Sequence, residues 1–338
     1  MERVNIKQLA AMLNLSIATV SKALRDSYDI SKATKEKVIE LAARLNYEPN
    51  PHASSLRRNK SKTIAVIVPE IANNYFALAI NGIESVAEEN SFHVLIYLTH
   101  EDFEKEKMFA RHLLSGRVDG VLVSISGATT DYAHLRALEQ KDIPVVYFDR
   151  VSEAEDAKRI TTDDFESSRL ATSHLITKGC TRIAHLAISQ HTSIGKKRKG
   201  GYLQALADHN IPVDDSLIIY CGNYDEKNAA SIADLLLYKK CDGIFAAVEK
   251  YAITTYEQCS ALNISIPQQV KVIAFSNLQT ASLLNPPLTT ITQPAFDIGR
   301  EAASILFNTL NKKIPPGDPE NIILKSLLIE RDSTSGEW

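Results

Sequence analysis

The chain has 338 residues, 44% of them hydrophobic, enough to bury a core larger than that of one small domain. No apolar run reaches the ~18 residues of a membrane span and no secretory leader is present; Met1-Glu2-Arg3 runs straight into a helical pattern, so a cytoplasmic protein is expected. The formal net charge of −3 hides an asymmetry: residues 1–60 hold eleven Lys/Arg against six Asp/Glu, a net +5, while the remainder, 27 against 35, carries −8. A basic module on an acidic body fits phosphate neutralisation better than a general need for solubility.

Taken in chain order, Ile6, Leu9, Ala10 and Leu13 fall at helical spacing, and Asn14-Leu15 breaks the run before Ser16, a good N-cap for a second short helix. This is the grammar of a helix-turn-helix. On the second helix Val20, Ala23 and Leu24 face inward, leaving Ile17, Ala18, Ser21, Lys22 and Arg25 as candidate base readers. Ser31 can cap a third helix whose Val38, Leu41, Ala42 and Leu45 close a small core, so residues 1–47 form an all-α headpiece. In the following segment, 48–61, Asn50 suits an N-cap and Pro51 a first helical position, but Arg58 comes only one or two turns later. A helix that short is unstable alone, so it is expected to form when paired with its copy on DNA, with Leu56 as an apolar wedge in the minor groove and Arg57 and Arg58 near phosphates.

From Thr63 short apolar strands alternate with helical stretches: Ile64–Val68, Val94–Tyr97, Val121–Val123 and Val145–Phe148. The rhythm restarts with Ile183–Leu186, Leu217–Tyr220, Ile244–Ala246 and Val270–Phe275. Such βαβ alternation implies parallel sheets covered on both faces, here in two similar lobes with a cleft between them. The expected lobes are about 62–161 with 293–324, and about 162–290 with 325–338. Ligands of open α/β sheets bind at the carboxyl ends of strands, where this chain places Asn73, Asn74, Tyr75, Phe76, Asp149, Arg150, Glu249, Ser276 and Asn277. Aromatic rings can stack on a sugar's apolar face, carboxylates and amides can accept from its hydroxyls, and arginine can donate to paired oxygens.

Other chemistries find little support. No Gly-x-Gly-x-x-Gly follows the first strand, and the glycines flanking Lys196–Lys199 are followed by Tyr202 rather than by the lysine and Ser/Thr of a phosphate loop. That basic run reads as a solvated loop, or else as the mark of an acidic or phosphorylated ligand. Cys180, Cys221, Cys241 and Cys259 show no Cys-x-x-Cys pairing and no metal-ligand spacing, so reduced thiols are expected, with no cofactor and no metal.

Asn5-Ile6-Lys7, Thr19–Leu24 and Leu45–Asn50 match, in order and spacing, the headpiece of the LacI family of bacterial transcription regulators, which this chain resembles over almost its whole length. Val68–Asn73, Arg117–Gly120, Thr162–Phe165, His174-Leu175-Ile176, Gly201-Tyr202 and Pro286–Ile291 are similar to landmarks of its body. The resemblance implies a helix-turn-helix headpiece joined to a bilobed parallel-sheet domain of the periplasmic-binding-protein type. It implies DNA contacts at Asn5, Ser16, Thr19, Ser31, Thr34, Tyr47, Asn50 and Ala53 beside the readers already named. Effector contacts are implied at Tyr75, Phe76, Asp149, Arg198, Tyr224 and Ser276, with Glu249 at the cleft edge. Lys22 stands where the family usually has Arg, Ser276 where it often has Asp, and Val248-Glu249 where Asn-Asp is frequent.

The expectation is therefore a homodimeric repressor of a near-palindromic DNA operator, responsive to a carbohydrate and without enzymatic activity. Two alternatives stand beside it: a sugar-binding protein that does not touch DNA, which would need an export signal and no headpiece, and a glycosidase using Asp149 and Glu249. Effector-driven release from DNA and effector-driven corepression are both compatible with the sequence.

Overall fold

In the computed structural model the described residues are 4–45, 47, 61–154, 157–222, 225–313 and 320–336. The chain divides into two compact units, Met1–Ser61 and Lys62–Trp338.

The first unit holds α1 (Ile6–Met12), α2 (Ile17–Ala23) and α3 (Lys32–Arg44). Each begins on a polar cap that takes up backbone donors the helix cannot satisfy itself. Asn5 Oδ1 accepts from the N–H groups of Lys7 and Gln8 while Gln8 Oε1 takes the Asn5 N–H at 2.8 Å. Ser16 Oγ accepts from the Thr19 N–H at 3.0 Å, and Ser31 Oγ from that of Thr34 at 3.3 Å. Asn14 turns the chain between α1 and α2 at φ 51°, a left-handed conformation that asparagine tolerates. The core comprises Leu9, Ala10, Val20, Ala23, Val38, Leu41 and Ala42, with Leu24 and Leu45 packed on it.

The second unit is built on two six-stranded sheets. The first lobe contains β1 (Thr63–Val68), α4 (Asn74–Glu89), β2 (His93–Leu98), α5 (Phe103–Leu113), β3 (Gly120–Val123), α6 (Ala133–Glu139), β4 (Val145–Phe148) and β5 (Lys158–Thr162). The second contains α7 (Asp164–Thr177), β6 (Ile183–Ala187), α8 (Ser193–Asp208), β7 (Ile218–Tyr220), α9 (Asp225–Leu237), β8 (Gly243–Ala246), α10 (Glu249–Leu262), β9 (Lys271–Phe275) and β10 (Thr289–Thr292). The chain then returns through α11 (Ala295–Leu310) and β11 (Asn321–Leu324) to the first lobe and ends with β12 (Leu327–Ile329) in the second.

Strand orders are β11-β5-β4-β3-β1-β2 and β12-β10-β9-β8-β6-β7. All pairings are parallel except β12 with β10. β12 follows β11 by two residues, crosses to the other sheet and pairs antiparallel with β10, where the alternation alone predicts a parallel strand. Leu217, expected to open a strand, closes a 3₁₀ turn instead, and the strand begins at Ile218.

The central strands of each sheet are buried on both faces, as their continuous apolar runs require, while the edge strands β2, β11 and β12 are partly exposed. Ile64, Val66 and Val68 of β1 pack with α4 and α11, whereas Ala65 and Ile67 pack with the α5 and α6 side. α4 and α11 meet backbone to backbone: a Cβ on Gly82 would lie 2.0 Å from Phe296 O, and one on Gly299 would lie 2.0 Å from Ala79 O.

The chain crosses between lobes after β5, after β10 and after β11, and the crossings are bonded to one another. The Asp163 N–H donates to Leu324 O at 3.1 Å, the Ser326 N–H to Asp163 Oδ1 at 2.8 Å, and Gln293 Nε2 to Thr162 Oγ1 at 2.9 Å. No helix among the described residues is long and apolar enough to cross a membrane. All four cysteines are buried and free.

Candidate DNA-reading helix and ligand cleft

Of the proposed base readers on α2, Ile17, Ala18, Lys22 and Arg25 are exposed and Ser21 and Thr19 half-buried, which places them on the face opposite the Val20–Ala23 core contact. Two readers are already tethered. Arg25 Nε donates to Ser21 O at 2.9 Å and its NH2 to Ser21 Oγ at 3.1 Å, while Lys22 Nζ pairs with Asp29 at 2.5 Å and holds that carboxyl below its ordinary value. Thr19 and Thr34 exchange hydroxyl bonds with their capping serines Ser16 and Ser31 at 2.9 and 2.8 Å. Asn5 is exposed at its cap, and Tyr47 packs half-buried on the headpiece core. Asn50, Ala53, Leu56, Arg57 and Arg58, and the effector candidate Tyr224, lie outside the described residues.

At the facing carboxyl ends of the two sheets a cleft is lined by Asn73, Tyr75, Phe76, Asp149, Arg150, Ile194, Arg198, Val248, Glu249, Phe275, Ser276, Asn277 and Gln293. Every described effector candidate except Asn74 is among them. The first lobe contributes Asn73, which caps α4 by accepting from the Tyr75 N–H at 2.9 Å and so aims Tyr75 and Phe76, whose rings meet edge to face at 5.4 Å. Tyr75 is buried with its hydroxyl beside Asp149, and burial together with that carboxylate pushes its pKa well up. Asp149 leaves β4 at φ 60°, and its Oδ2 accepts from Ser124 Oγ at 3.2 Å. Burial pushes its carboxyl up to about 6, outweighing the guanidinium groups of Arg150 and Arg198. Arg150 is clamped by Glu101, whose two oxygens lie 2.6 and 2.8 Å from NH1.

The second lobe contributes Arg198, only 2% exposed. Its Nε and NH2 both reach Asp164 Oδ1, at 2.8 and 2.7 Å, its NH1 donates to Ala247 O, and its guanidinium sits 3.8 Å over the Phe275 ring. Glu249, the first residue of α10, joins the lobes: Oε1 accepts from Asn74 Nδ2 at 2.9 Å and Oε2 from Ser276 Oγ at 3.0 Å. Ser193 Oγ accepts from the Val151 N–H at 3.2 Å across the same gap. Asn277 is fixed through Nδ2 to Gln293 O at 2.7 Å, with Oδ1 unpartnered.

The basic run Lys196–Lys199, expected as a solvated loop, is helical, inside α8. Glycines at its ends permit close packing rather than a phosphate loop: a Cβ on Gly195 would lie 2.1 Å from Ser189 O, and one on Gly201 would lie 2.2 Å from Phe165 O. Helical periodicity buries Arg198 alone and turns Lys196 out to Glu153 at 3.2 Å and Lys199 to Tyr220 Oη at 2.9 Å. Sequence reasoning missed Glu101, Ser124 and Asp164 as parts of the site. Glu101 follows β2, so the strand-end rule extended to that strand would have found it; nothing local marks Asp164 as a partner of a residue 34 positions on. Among the described residues no group of three or more His, Cys, Asp or Glu is arranged to hold a metal ion.

Comparison with known proteins agrees with this architecture. Residues 5–50 match the bacterial regulatory proteins of the lacI family, and residues 172–334 match the periplasmic binding protein-like domain. The HTH-type transcriptional repressor PurR of Vibrio parahaemolyticus is 31% identical over 310 residues, 91% of this chain and 92% of that protein. The structure of the transcriptional regulator CelR in complex with cellobiose is 25% identical with a TM-score of 0.74, covering 98% of this chain and 100% of that one. A periplasmic binding protein/LacI transcriptional regulator from Alkaliphilus metalliredigens, complexed with D-xylulofuranose, is 29% identical with a TM-score of 0.72, covering 82% and 100%. With a capped helix-turn-helix, two facing parallel-sheet lobes and near full-length relatedness to PurR, the chain belongs to the lacI family of bacterial regulatory proteins.

Proposed function

We propose that this regulator represses transcription in the cytoplasm as a homodimer on a near-palindromic operator, and that a carbohydrate held between its lobes changes its operator affinity. The observation that carries the reading is the placement of Glu249, which bonds Asn74 of one lobe and Ser276 of the other at the rim of the cavity. A ligand competing for those groups alters the contacts that set how the lobes sit, and only such differential contacts can shift a distant equilibrium. The sugars in the CelR and Alkaliphilus complexes support the ligand class. A two-fold dimer presents two copies of α2, which explains the near-palindrome.

A hydrolytic role for Asp149 and Glu249 has less support. Glu249 is engaged by an amide and a hydroxyl, and Asp149 by Ser124, the pattern of hydrogen-bond acceptors rather than of an acid poised over a glycosidic bond.

Selection of bound duplexes from random DNA, followed by titration of the selected site with and without a panel of free sugars, tests the proposal. The expected result is an inverted repeat whose affinity changes with one sugar, the direction distinguishing induction from corepression. Recovery of asymmetric sites only, or an affinity indifferent to every ligand that binds the protein, refutes it.

A further inference from the structure

We propose that the cleft admits only ligands without negative charge, because Glu101 and Asp164 cancel the two guanidinium groups that a phosphate or carboxylate would need. The inference rests on the cleft being the effector site and names the charge class of that effector.

Arg150 and Arg198 are the cations among the lining residues. Arg198 is charge-paired and held on three sides: Nε and NH2 to Asp164, NH1 to Ala247 O, and its face to Phe275. Arg150 gives NH1 to both oxygens of Glu101, which is pinned in turn by the Gly127 N–H at 2.6 Å. Neither Glu101 nor Asp164 lines the cavity, so each acts on the ligand only by neutralising the arginine that does.

What the walls still offer is of the opposite kind. Asp149 on the first lobe and Glu249 on the second are held by the hydroxyls of Ser124 and Ser276 and the amide of Asn74, all neutral donors. Asn277 Oδ1 has no partner, and the buried Tyr75 hydroxyl sits beside the Asp149 carboxylate. Of the Arg150 donors outside the Glu101 bond, Nε lies 4.0 Å from Asp149, so a second carboxylate sits beside this guanidinium. The carboxylates and the Asn277 oxygen are met by a ligand that donates from hydroxyl or N–H groups. An anion meets two like charges while each neighbouring guanidinium is already balanced by a carboxylate, a juxtaposition that works against it. The basic run of α8 does not offset this, since Lys196 and Lys199 turn away to Glu153 and Tyr220.

The test uses the full chain. Its thermal midpoint is measured at fixed ionic strength with inorganic phosphate exchanged for chloride, for wild type, Arg150→Met, Glu101→Gln and the double variant. Gln keeps an oxygen for the Gly127 N–H but frees Arg150. Glu101→Gln should gain a phosphate-dependent rise that the double variant loses, while wild type and Arg150→Met respond alike. Phosphate binding to the basic headpiece is common to all four and drops out of the comparison.

Calorimetry on wild type with ribose against ribose 5-phosphate, and glucose against glucuronate, gives a second arm that stands even if Glu101→Gln fails to fold. In any pair that binds, the neutral member should bind at least about tenfold more tightly. An anionic member binding as well, a wild-type phosphate response removed by Arg150→Met, or no gain in a folded Glu101→Gln overturns the charge rule. If no sugar binds, the carbohydrate reading fails while the phosphate arm still decides this one.

Discussion

Arg198→Met exposes how much of the cleft wall is held by one ion pair. Arg198 and Asp164 are 2% and 1% exposed, so removing the guanidinium leaves a carboxylate in the interior with its other oxygen, Oδ2, already unpartnered. Breaking a buried pair by deleting one partner costs ~3–5 kcal/mol, whereas replacing both ions by neutral groups is often close to neutral. For lobes of this size ~4 kcal/mol corresponds to a fall of roughly 10 °C in the midpoint. Asp164→Asn should cost less, because the amide oxygen and Ala247 O both remain to accept from Arg198. The double variant Arg198→Met/Asp164→Asn should recover much of the loss, giving a coupling of ~1–3 kcal/mol in a thermodynamic cycle. Urea or calorimetric unfolding of the four proteins measures it. A cost below ~1 kcal/mol for Arg198→Met, or costs that simply add, would refute the buried-pair argument. An Arg198 variant deaf to effector then reports a slackened wall as well as one lost ligand contact.

Asp149→Asn should stabilise the protein at neutral pH. Its folded-state pKa, about 6 against 3.8, means that stability from this group is present below about pH 4 and lost as the pH rises toward 6. At about 1.4 kcal/mol per pH unit the loss is about 3 kcal/mol by pH 7, so the variant's gain in midpoint should appear at pH 7 and vanish near pH 4. An equal gain at both would contradict the assignment. His185 behaves in the opposite sense. Stacked between Tyr202 and Phe245 and held down to about 3 by burial, it gives stability that is present above pH 6.5 and lost as the pH falls toward 3. His185→Phe, which keeps the stack, should move the acid-unfolding midpoint lower. In the headpiece, Ser16→Ala removes the cap of α2 and should cost ~1 kcal/mol and weaken operator binding, with Ser16→Asp restoring most of the stability. Affinity for any duplex should fall steeply and log-linearly with salt; a flat dependence would argue against phosphate neutralisation by the +5 segment.

Local signals made the headpiece and the strands readable. Ser16 and Ser31 are caps because their side chains can reach only nearby N–H groups, and the runs at Ile64 and Ile244 are strands because short apolar stretches between helical patterns have few other homes. The strand-end rule placed Tyr75, Asp149, Glu249 and Ser276 together because parallel topology brings all such ends to one edge. Partnership was not legible. The resemblance made Arg198 an effector contact, but its pairing with Asp164 depends on α7 packing against α8 through Gly201, a contact no local pattern encodes. The lysines around it looked like a loop because charge and glycine mask a helical period in which only every third or fourth residue turns inward.

The three crossings between the lobes bear on mechanics. A single connecting strand would let one lobe swing, twist and slide against the other with little resistance. Here Asp163 holds the third crossing through Leu324 O and the Ser326 N–H, and Gln293 ties the second to Thr162, so the three strands move as one narrow ribbon. A ribbon bends easily across its thickness and poorly in its own plane. Lobe motion is thereby reduced to a single angle, and whatever occupies the cleft is translated into one mechanical coordinate.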